Sequence, residues 1–474
     1  MKDKYKYLIG NEWRESKDVL EVKNPYDNAV VSTTFLATEN DIDDAVQAAT
    51  IAFEETRKLP VFKRAEILDK IKDGIRERSE EFAQMITMEA GKPISDSRAE
   101  VERAIGTFQT ASEESKRMLG EYIPLDISER SKNRKGIHRR FPIGPILGIS
   151  PFNFPLNLIA HKVAPAIAAG NPVIIKPSAK TPMTALLLGE VISGAGLPAG
   201  GFSVFPCTTN LAERLVADER LRMLTFTGSA AVGWRLKQIA GRKRVTLELG
   251  GNAGAIIDSA ENLDYIVKRC ILSAFSFSGQ VCISLQRLFI QEKIYDDFIS
   301  NFTETIKTLK TGDPRDEDTQ LGPMIDEQAA QRIESWVHEA TGEGAILLAG
   351  GKRKGTFYES TVIANATPQM KVSREELFAP VVTVTKHAAF EEAVKRLNDS
   401  VYGLQASVFT NNIRHIFYAY EHLEAGGVIV NDAPSFRTDN MPYGGVKASG
   451  IGREGVRYAL EEMTESKMLV LNIP

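Results

Sequence analysis

The chain has 474 residues, of which 43% are hydrophobic and 25% charged, and its formal net charge is −4. That length exceeds what one core of about 250–300 residues organises, so two or three soluble domains are expected. The near-balance of charge gives no footprint for a nucleic-acid or membrane partner. Three cysteines, Cys207, Cys270 and Cys282, are too few for a disulfide framework and point to a reducing, cytoplasmic setting. Six histidines with no CxxC or His-rich cluster leave no basis for a metal site. The N-terminus leads into no apolar targeting region, and no run of about eighteen apolar residues suggests a membrane span.

In chain order, residues 40–57 and 61–90 carry helical periodicity, as in Ala65, Leu68, Ile71 and Ile75, and 93–119 continues as a third amphipathic helix. Alternation then sets in. A strand at 142–149 precedes a helix at 156–169, and Pro172–Lys176 precedes a helix at 181–195. Strands at 202–205 and 223–226 flank a helix at 209–217. A second series begins after Glu248, with strands at 254–257, 287–291 and 427–431 and helices at 263–277 and 294–309. Short β-rich runs alternating with helices predict doubly wound parallel α/β sheets. No low-complexity linker separates the series, so the boundary near 248 is expected to be a tight hinge.

Cys282 lies in Phe277-Ser-Gly-Gln-Val-Cys-Ile-Ser284, thirty-four positions after the glutamate of Glu248-Leu-Gly-Gly251. A thiol attacks only as thiolate, so a working cysteine needs a tuned environment and a base within reach. Taken alone, a free cysteine among small residues reads as buried core. The segment Phe226-Thr-Gly-Ser-Ala-Ala-Val-Gly233 is a strand end, a Gly-Ser turn and a helix start, which suits phosphate binding but is not GxGxxG.

Seven ordered motifs give these segments a family context: Pro151-Phe-Asn-Phe-Pro155, Lys176-Pro177, Phe226-Thr-Gly-Ser229, Glu248-Leu-Gly-Gly251, Gly279-Gln-Val-Cys282, Glu376-Leu-Phe-Ala-Pro380 and Pro442-Tyr-Gly-Gly-Val-Lys447. With them the chain resembles the aldehyde dehydrogenase superfamily from about residue 5 to its C-terminus. The resemblance implies that Cys282 attacks an aldehyde, that Asn153 and the Cys282 N–H hold the oxyanion, and that Glu248 activates water against the thioester. It marks Lys162 and Glu465 as a proton path or structural pair. For a bound NADP or NAD it implies Phe152, Lys176, Ser178, Ala179, Lys180, Gly228, Ser229, Leu249, Glu376 and Phe378. Ala179 departs from NAD-preferring relatives, which often carry glutamate there; its loss removes repulsion against a 2′-phosphate, and Lys180 adds a nearby cation.

Phe154, Asn157, His161, Ser276, Val281, Ile283 and the 434–440 loop with Arg437 would line the substrate tunnel. His161 and Arg437 favour short hydroxylated or anionic aldehydes over apolar ones. A brace from Arg437 to Asp439 within its own loop is the plainer alternative. The resemblance also implies a dinucleotide-binding domain at 1–122 and 143–247 and a catalytic domain at 248–454. Residues 123–142 and 455–474 would form an oligomerisation arm and tail, the strand 467–472 pairing with a partner's arm in a homodimer or homotetramer. Two competing readings are a CoA-acylating enzyme, disfavoured by Glu248, and a non-catalytic protein on the same fold.

Overall fold

The computed structural model describes residues 2–118, 120–259 and 261–473. Leu119, the last residue of the third expected helix, and Pro474, the last of the expected tail, lie outside the described residues, as does Met1.

The first sheet has eight strands in the spatial order Glu12–Arg14, Tyr7–Ile9, Phe202–Val204, Val173–Lys176, Ile146–Ile149, Met223–Thr227, Arg244–Glu248, Gly450–Ile451. The five central strands are parallel and the outer ones antiparallel. The central strands Ile146–Ile149, Val173–Lys176 and Met223–Thr227 bury nearly every residue, both faces included, as helices on either side require. Chain order reverses between Ile146–Ile149 and Met223–Thr227, and a crevice opens beyond the carboxyl ends of strands at such a switch point. The motifs beginning Pro151 and Gly228 follow those two strands.

The second sheet has seven strands, ordered Ile346–Ala349, Thr361–Ala364, Val381–His387, Leu285–Gln291, Ala253–Ile257, Gln405–Phe409, Gly427–Val430. All but the first pair are parallel. Separate apolar cores underlie the two sheets. The chain crosses from one to the other directly after Glu248. It also returns: Gly450–Ile451 pairs beside Leu247 and Glu248, and Val456, Leu460 and Met463 join the first core.

The expected helix at 61–90 is two, Val61–Glu77 and Ser79–Ala90, broken where Arg78 leaves helical geometry (φ −110°, ψ 21°). The N-terminal strands Tyr7–Ile9, Glu12–Arg14, Val19–Lys23 and Val30–Phe35 escape a reading by periodicity, being short or without clear alternation. Among the described residues no helix is long and apolar enough to cross a membrane.

A third sheet orders Thr464–Asn472, Arg134–Pro142 and Glu121–Pro124. The tail strand pairs with the arm of its own chain, Thr464 opposite Pro142 through Asn472 opposite Arg134, where pairing with a partner's arm was expected. The helix Val456–Glu462 runs straight into that strand and delivers it alongside the arm, so the pairing closes within one chain. The tail remains the outer strand and exposes Met468, Leu469, Val470 and Leu471.

Candidate active site

Three glycine-bearing motifs converge with one another and with the segment 376–380 because their backbones approach more closely than a side chain permits. A Cβ on Gly251 would lie 2.4 Å from the Cys282 carbonyl oxygen, and one on Gly279 would lie 2.2 Å from that of Ala379. Against Gly444 rests a carboxylate oxygen of Glu248, 2.8 Å from where a Cβ would stand.

The helix expected at 263–277 ends at Phe275, and the turn into Cys282 is left-handed at three successive residues: Phe277 (φ 48°), Ser278 (φ 54°) and Gly279 (φ 70°). Left-handed backbone is costly for non-glycine residues, so other contacts must hold it. Ser278 donates to the Gly322 carbonyl at 2.6 Å, and the fully buried Gln280 accepts from Ile325 N–H at 2.8 Å. The buried ammonium of Lys92 stands 3.7 Å from the Phe154 ring centroid and 4.7 Å from that of Phe277. Its partner Glu100 accepts from the Leu156 and Asn157 N–H groups at 2.9 and 3.1 Å. A buried ion pair thus fastens the Asn153 segment to the Cys282 segment.

Asn153 is buried, and its amide donates to the Gln280 carbonyl at 2.9 Å. A primary amide has two N–H bonds, so one remains for a ligand. The Cys282 N–H has no protein acceptor among the described residues. Cys282 Sγ lies 2.9 Å from Tyr443 Oη. Burial pushes the thiol up to about 11, opposed by the Tyr443 hydrogen bond and by Arg437.

Both Glu248 carboxylate oxygens are buried without a hydrogen-bond partner. Burial and the neighbouring Glu454 drive Glu248 well above the usual carboxylate range. Glu454 goes the other way: burial opposes ionisation, but Lys162, His161 and Arg437 hold it down at about 2. Lys162 Nζ reaches Glu454 at 3.3 Å and donates to Thr227 at 2.6 Å.

The carboxylate paired with Lys162 is therefore Glu454. Glu465 sits on the exposed tail strand with its carboxylate 3.5 Å from Arg244, because the strand carries it away from the core. Nothing in the sequence singled out Glu454; only the return of 450–463 to the first sheet brings it beside Lys162.

Arg437 was expected at a tunnel mouth. It is 6% exposed, 3.2 Å from Glu454, stacked 3.7 Å from the Tyr443 ring centroid, and its Nε has no partner. Nor does Asp439 brace it. Asp439 takes His161 Nε2 at 2.8 Å and Arg103 at 2.7 Å, which hold it ionised despite burial. Phe154 and Val281 are half-buried near the nucleophile segment, Ser276 caps the helix end, and Ile283 packs with Tyr443.

The crevice at the switch point suits a dinucleotide. Ser229 caps the helix Ala230–Ile239 with its hydroxyl making no capping bond, leaving hydroxyl and helix N–H groups for phosphate. Gly228 donates to the Glu248 carbonyl, and Leu249 packs against Gly233. Lys176 is largely buried at its strand end, and burial lowers its affinity for a proton. Phe152 and Phe378 meet edge to face at 5.8 Å. Glu376, pushed up to about 7 by burial, accepts from Gly251 N–H at 3.0 Å. Ser178 accepts from Lys180 N–H, and Ala179 is exposed. Lys180 is engaged by Asp326 at 3.1 Å, so it is less free to meet a 2′-phosphate than its place in the sequence suggests.

Comparison with known proteins gives a concordant result. The profile of the aldehyde dehydrogenase family matches residues 13–469. The chain is 42% identical over 470 residues to a 3-sulfolactaldehyde dehydrogenase of Priestia aryabhattai, covering 99% of this chain and 98% of that one. Its fold matches aldehyde dehydrogenase 21 from Physcomitrella patens, solved with the reaction product succinate, at TM-score 0.98 and 48% identity, covering 100% and 99% of the two chains. It also matches glyceraldehyde-3-phosphate dehydrogenase GapN from Methanocaldococcus jannaschii, solved with NADP, at TM-score 0.92 and 38% identity, covering 97% and 100%.

Proposed function

The chain belongs to the aldehyde dehydrogenase family and is an NAD(P)-dependent oxidoreductase; we propose that it converts short anionic or hydroxylated aldehydes to carboxylates on Cys282. The observation that carries the substrate class is the charge of the buried cluster beside the thiol. Two basic side chains, Lys162 and Arg437, share one carboxylate, Glu454, while burial and Glu454 push Glu248 above the usual carboxylate range. That shared pairing, with the Arg437 Nε still unpartnered, favours a substrate that brings an anion. The relatives named for sulfolactaldehyde and glyceraldehyde 3-phosphate, and the one solved with the reaction product succinate, support the same class.

In this reading the Cys282 thiolate adds to the aldehyde carbon. The developing oxyanion takes the second Asn153 N–H and the Cys282 N–H, a side-chain donor of this kind contributing about 3–4 kcal/mol. NAD(P), when bound across Lys176, Ser178, Ser229, Glu376 and the Phe152–Phe378 pair, supplies oxidation by accepting a hydride. Glu248, after giving up its proton, takes one from the water that attacks the resulting thioester, and the carboxylate product leaves. Lys162 and Glu454 set the charge around that step; Glu465 has no part in it. Ala179 supports acceptance of NADP. The exposed apolar strand Thr464–Asn472 supports assembly into a homodimer or homotetramer.

An aldehyde panel read by cofactor reduction tests this on the parent, Arg437→Ala and Arg437→Lys. Short anionic aldehydes should give the highest kcat/KM and lose about tenfold or more in both variants, since lysine keeps the charge but not the fork. Hexanal or benzaldehyde as best substrate, or anionic substrates untouched by Arg437→Ala, would overturn the substrate class.

A further inference from the structure

Among the described residues Tyr443 is the one polar side chain in hydrogen-bond contact with the reactive sulfur, at 2.9 Å, and it is held there from three sides. Its backbone is bridged to Glu454 in both directions, Tyr443 N–H to Glu454 O at 3.0 Å and Glu454 N–H to Tyr443 O at 2.6 Å. The guanidinium of Arg437 covers its ring, and Ile283 and Leu404 wall it in. The residue is 4% exposed, so water does not compete for its hydroxyl. A phenol placed so has one outlet for its proton, the sulfur.

We propose that Tyr443 is a catalytic residue, its phenol donating a hydrogen bond to the Cys282 thiolate whenever negative charge resides on that sulfur. The proposal rests on Cys282 as nucleophile and extends that reading to a group the family motif alone does not assign. A thiol is a weak acceptor, whereas a thiolate is acceptor-only and takes a charge-assisted bond, so the contact strengthens on ionisation and favours it. The sulfur bears that charge twice in one turnover. It does so before attack on the aldehyde, and again when the C–S bond breaks and the electron pair returns to Sγ as the carboxylate departs. Between those moments the sulfur is a neutral thioether or thioester and a poor acceptor, so the phenol contributes least where binding would slow the cycle. No proton needs to leave Tyr443 at either stage. Burial works against thiolate formation, and of the groups that oppose it the Tyr443 bond ranks first, ahead of the Arg437 charge.

The test uses Tyr443→Phe in the full-length enzyme without aldehyde. Alkylation of Cys282 by iodoacetamide is followed against pH, with mass spectrometry assigning the modified cysteine. Below its midpoint the rate follows the thiolate fraction, so the profile should move up by about one pH unit, a roughly tenfold slower reaction at each pH. The pre-steady-state burst of reduced cofactor should slow by a similar factor, with KM for cofactor and the melting temperature unchanged. Superimposable alkylation profiles for parent and variant would overturn the proposal. Should Tyr443→Phe fail to fold, 3-fluorotyrosine at 443 carries the test: a more acidic phenol should move the profile down, and no movement overturns the idea. Full turnover by Cys282→Ala would instead remove the nucleophile reading beneath it, so the two failures are told apart.

Discussion

Gly250 lies directly against the carboxylate of Glu376: a Cβ on the glycine would stand 2.3 Å from Oε2, while the next residue, Gly251, donates its N–H to Oε1 at 3.0 Å. The backbone after Glu248 is thus the seat of a side chain that the proposed reading gives to the cofactor. Gly250→Ala should push Glu376 aside, raising KM for cofactor about tenfold or more while Cys282 alkylation is unaffected. An unchanged cofactor KM would show that Glu376 is not placed by this contact.

Cys282→Ala should abolish aldehyde oxidation and leave cofactor binding largely intact. Glu248→Gln should still give a burst of reduced cofactor and then stall as the thioester. Since burial and Glu454 push Glu248 above the usual carboxylate range, the base form grows as pH rises, and steady-state turnover limited by hydrolysis should keep climbing with pH above that range. The same raised value means the native state keeps a proton the unfolded chain gives up. The associated stability is present below the ordinary carboxylate range and is lost as pH rises through the folded value. A hydrolytic rate already independent of pH just above the ordinary carboxylate range in the parent enzyme would contradict the assignment.

Glu454→Gln should strip Lys162 and Arg437 of their shared counter-charge. Breaking a buried pair in this way costs about 3–5 kcal/mol, seen as a lower denaturant midpoint. It also removes a negative neighbour that raises Glu248, so the pH profile of hydrolysis should shift to lower pH. A variant as stable as the parent, with the same profile, would show the cluster is not coupled.

Much of this was readable in the amino-acid order. The strand 173–176 announces itself by its Val-Ile-Ile run between turns, and the motifs at 153, 248 and 282 are dense enough to name a family. What escaped is what depends on distant segments meeting. Glu454 and Asp439 are unremarkable carboxylates in sequence, and each acquires its role from partners hundreds of positions away, Lys162 and Arg103. Glu465 was drawn in by position, yet it sits on the outer tail strand, where every residue after Thr464 is exposed. The break at Arg78 is invisible to periodicity because both helices keep the same buried stripe.

Ala179→Glu should move cofactor preference toward NAD by about tenfold, the equivalent of 1.4 kcal/mol. Because Lys180 is tied to Asp326, Asp326→Asn should move preference the opposite way by freeing the cation. Relative kcat/KM for the two cofactors is the measurement; strict NAD use by the parent would show that position 179 does not decide the matter.

Light scattering at micromolar concentration should return a dimer or a tetramer. Replacing Leu469 and Leu471, both exposed on the outer tail strand, with lysine should shift it toward monomer. A parent that is already monomeric would rule out the role given to the arm and tail.

Three successive left-handed residues ahead of Cys282 are held by groups from elsewhere: Gly322 and Ile325 on one side, Lys92 on another, Ala379 pressed against Gly279. No local preference would produce that turn in a nascent or partly denatured chain. A sulfhydryl emerging during synthesis is therefore an ordinary exposed one, and its burial and its contact with Tyr443 are imposed only by the last act of assembly, when both sheets are in place. The pH profile of labelling at Cys282 should therefore change between folding intermediates and the mature enzyme, which makes that change a clock for the completion of folding.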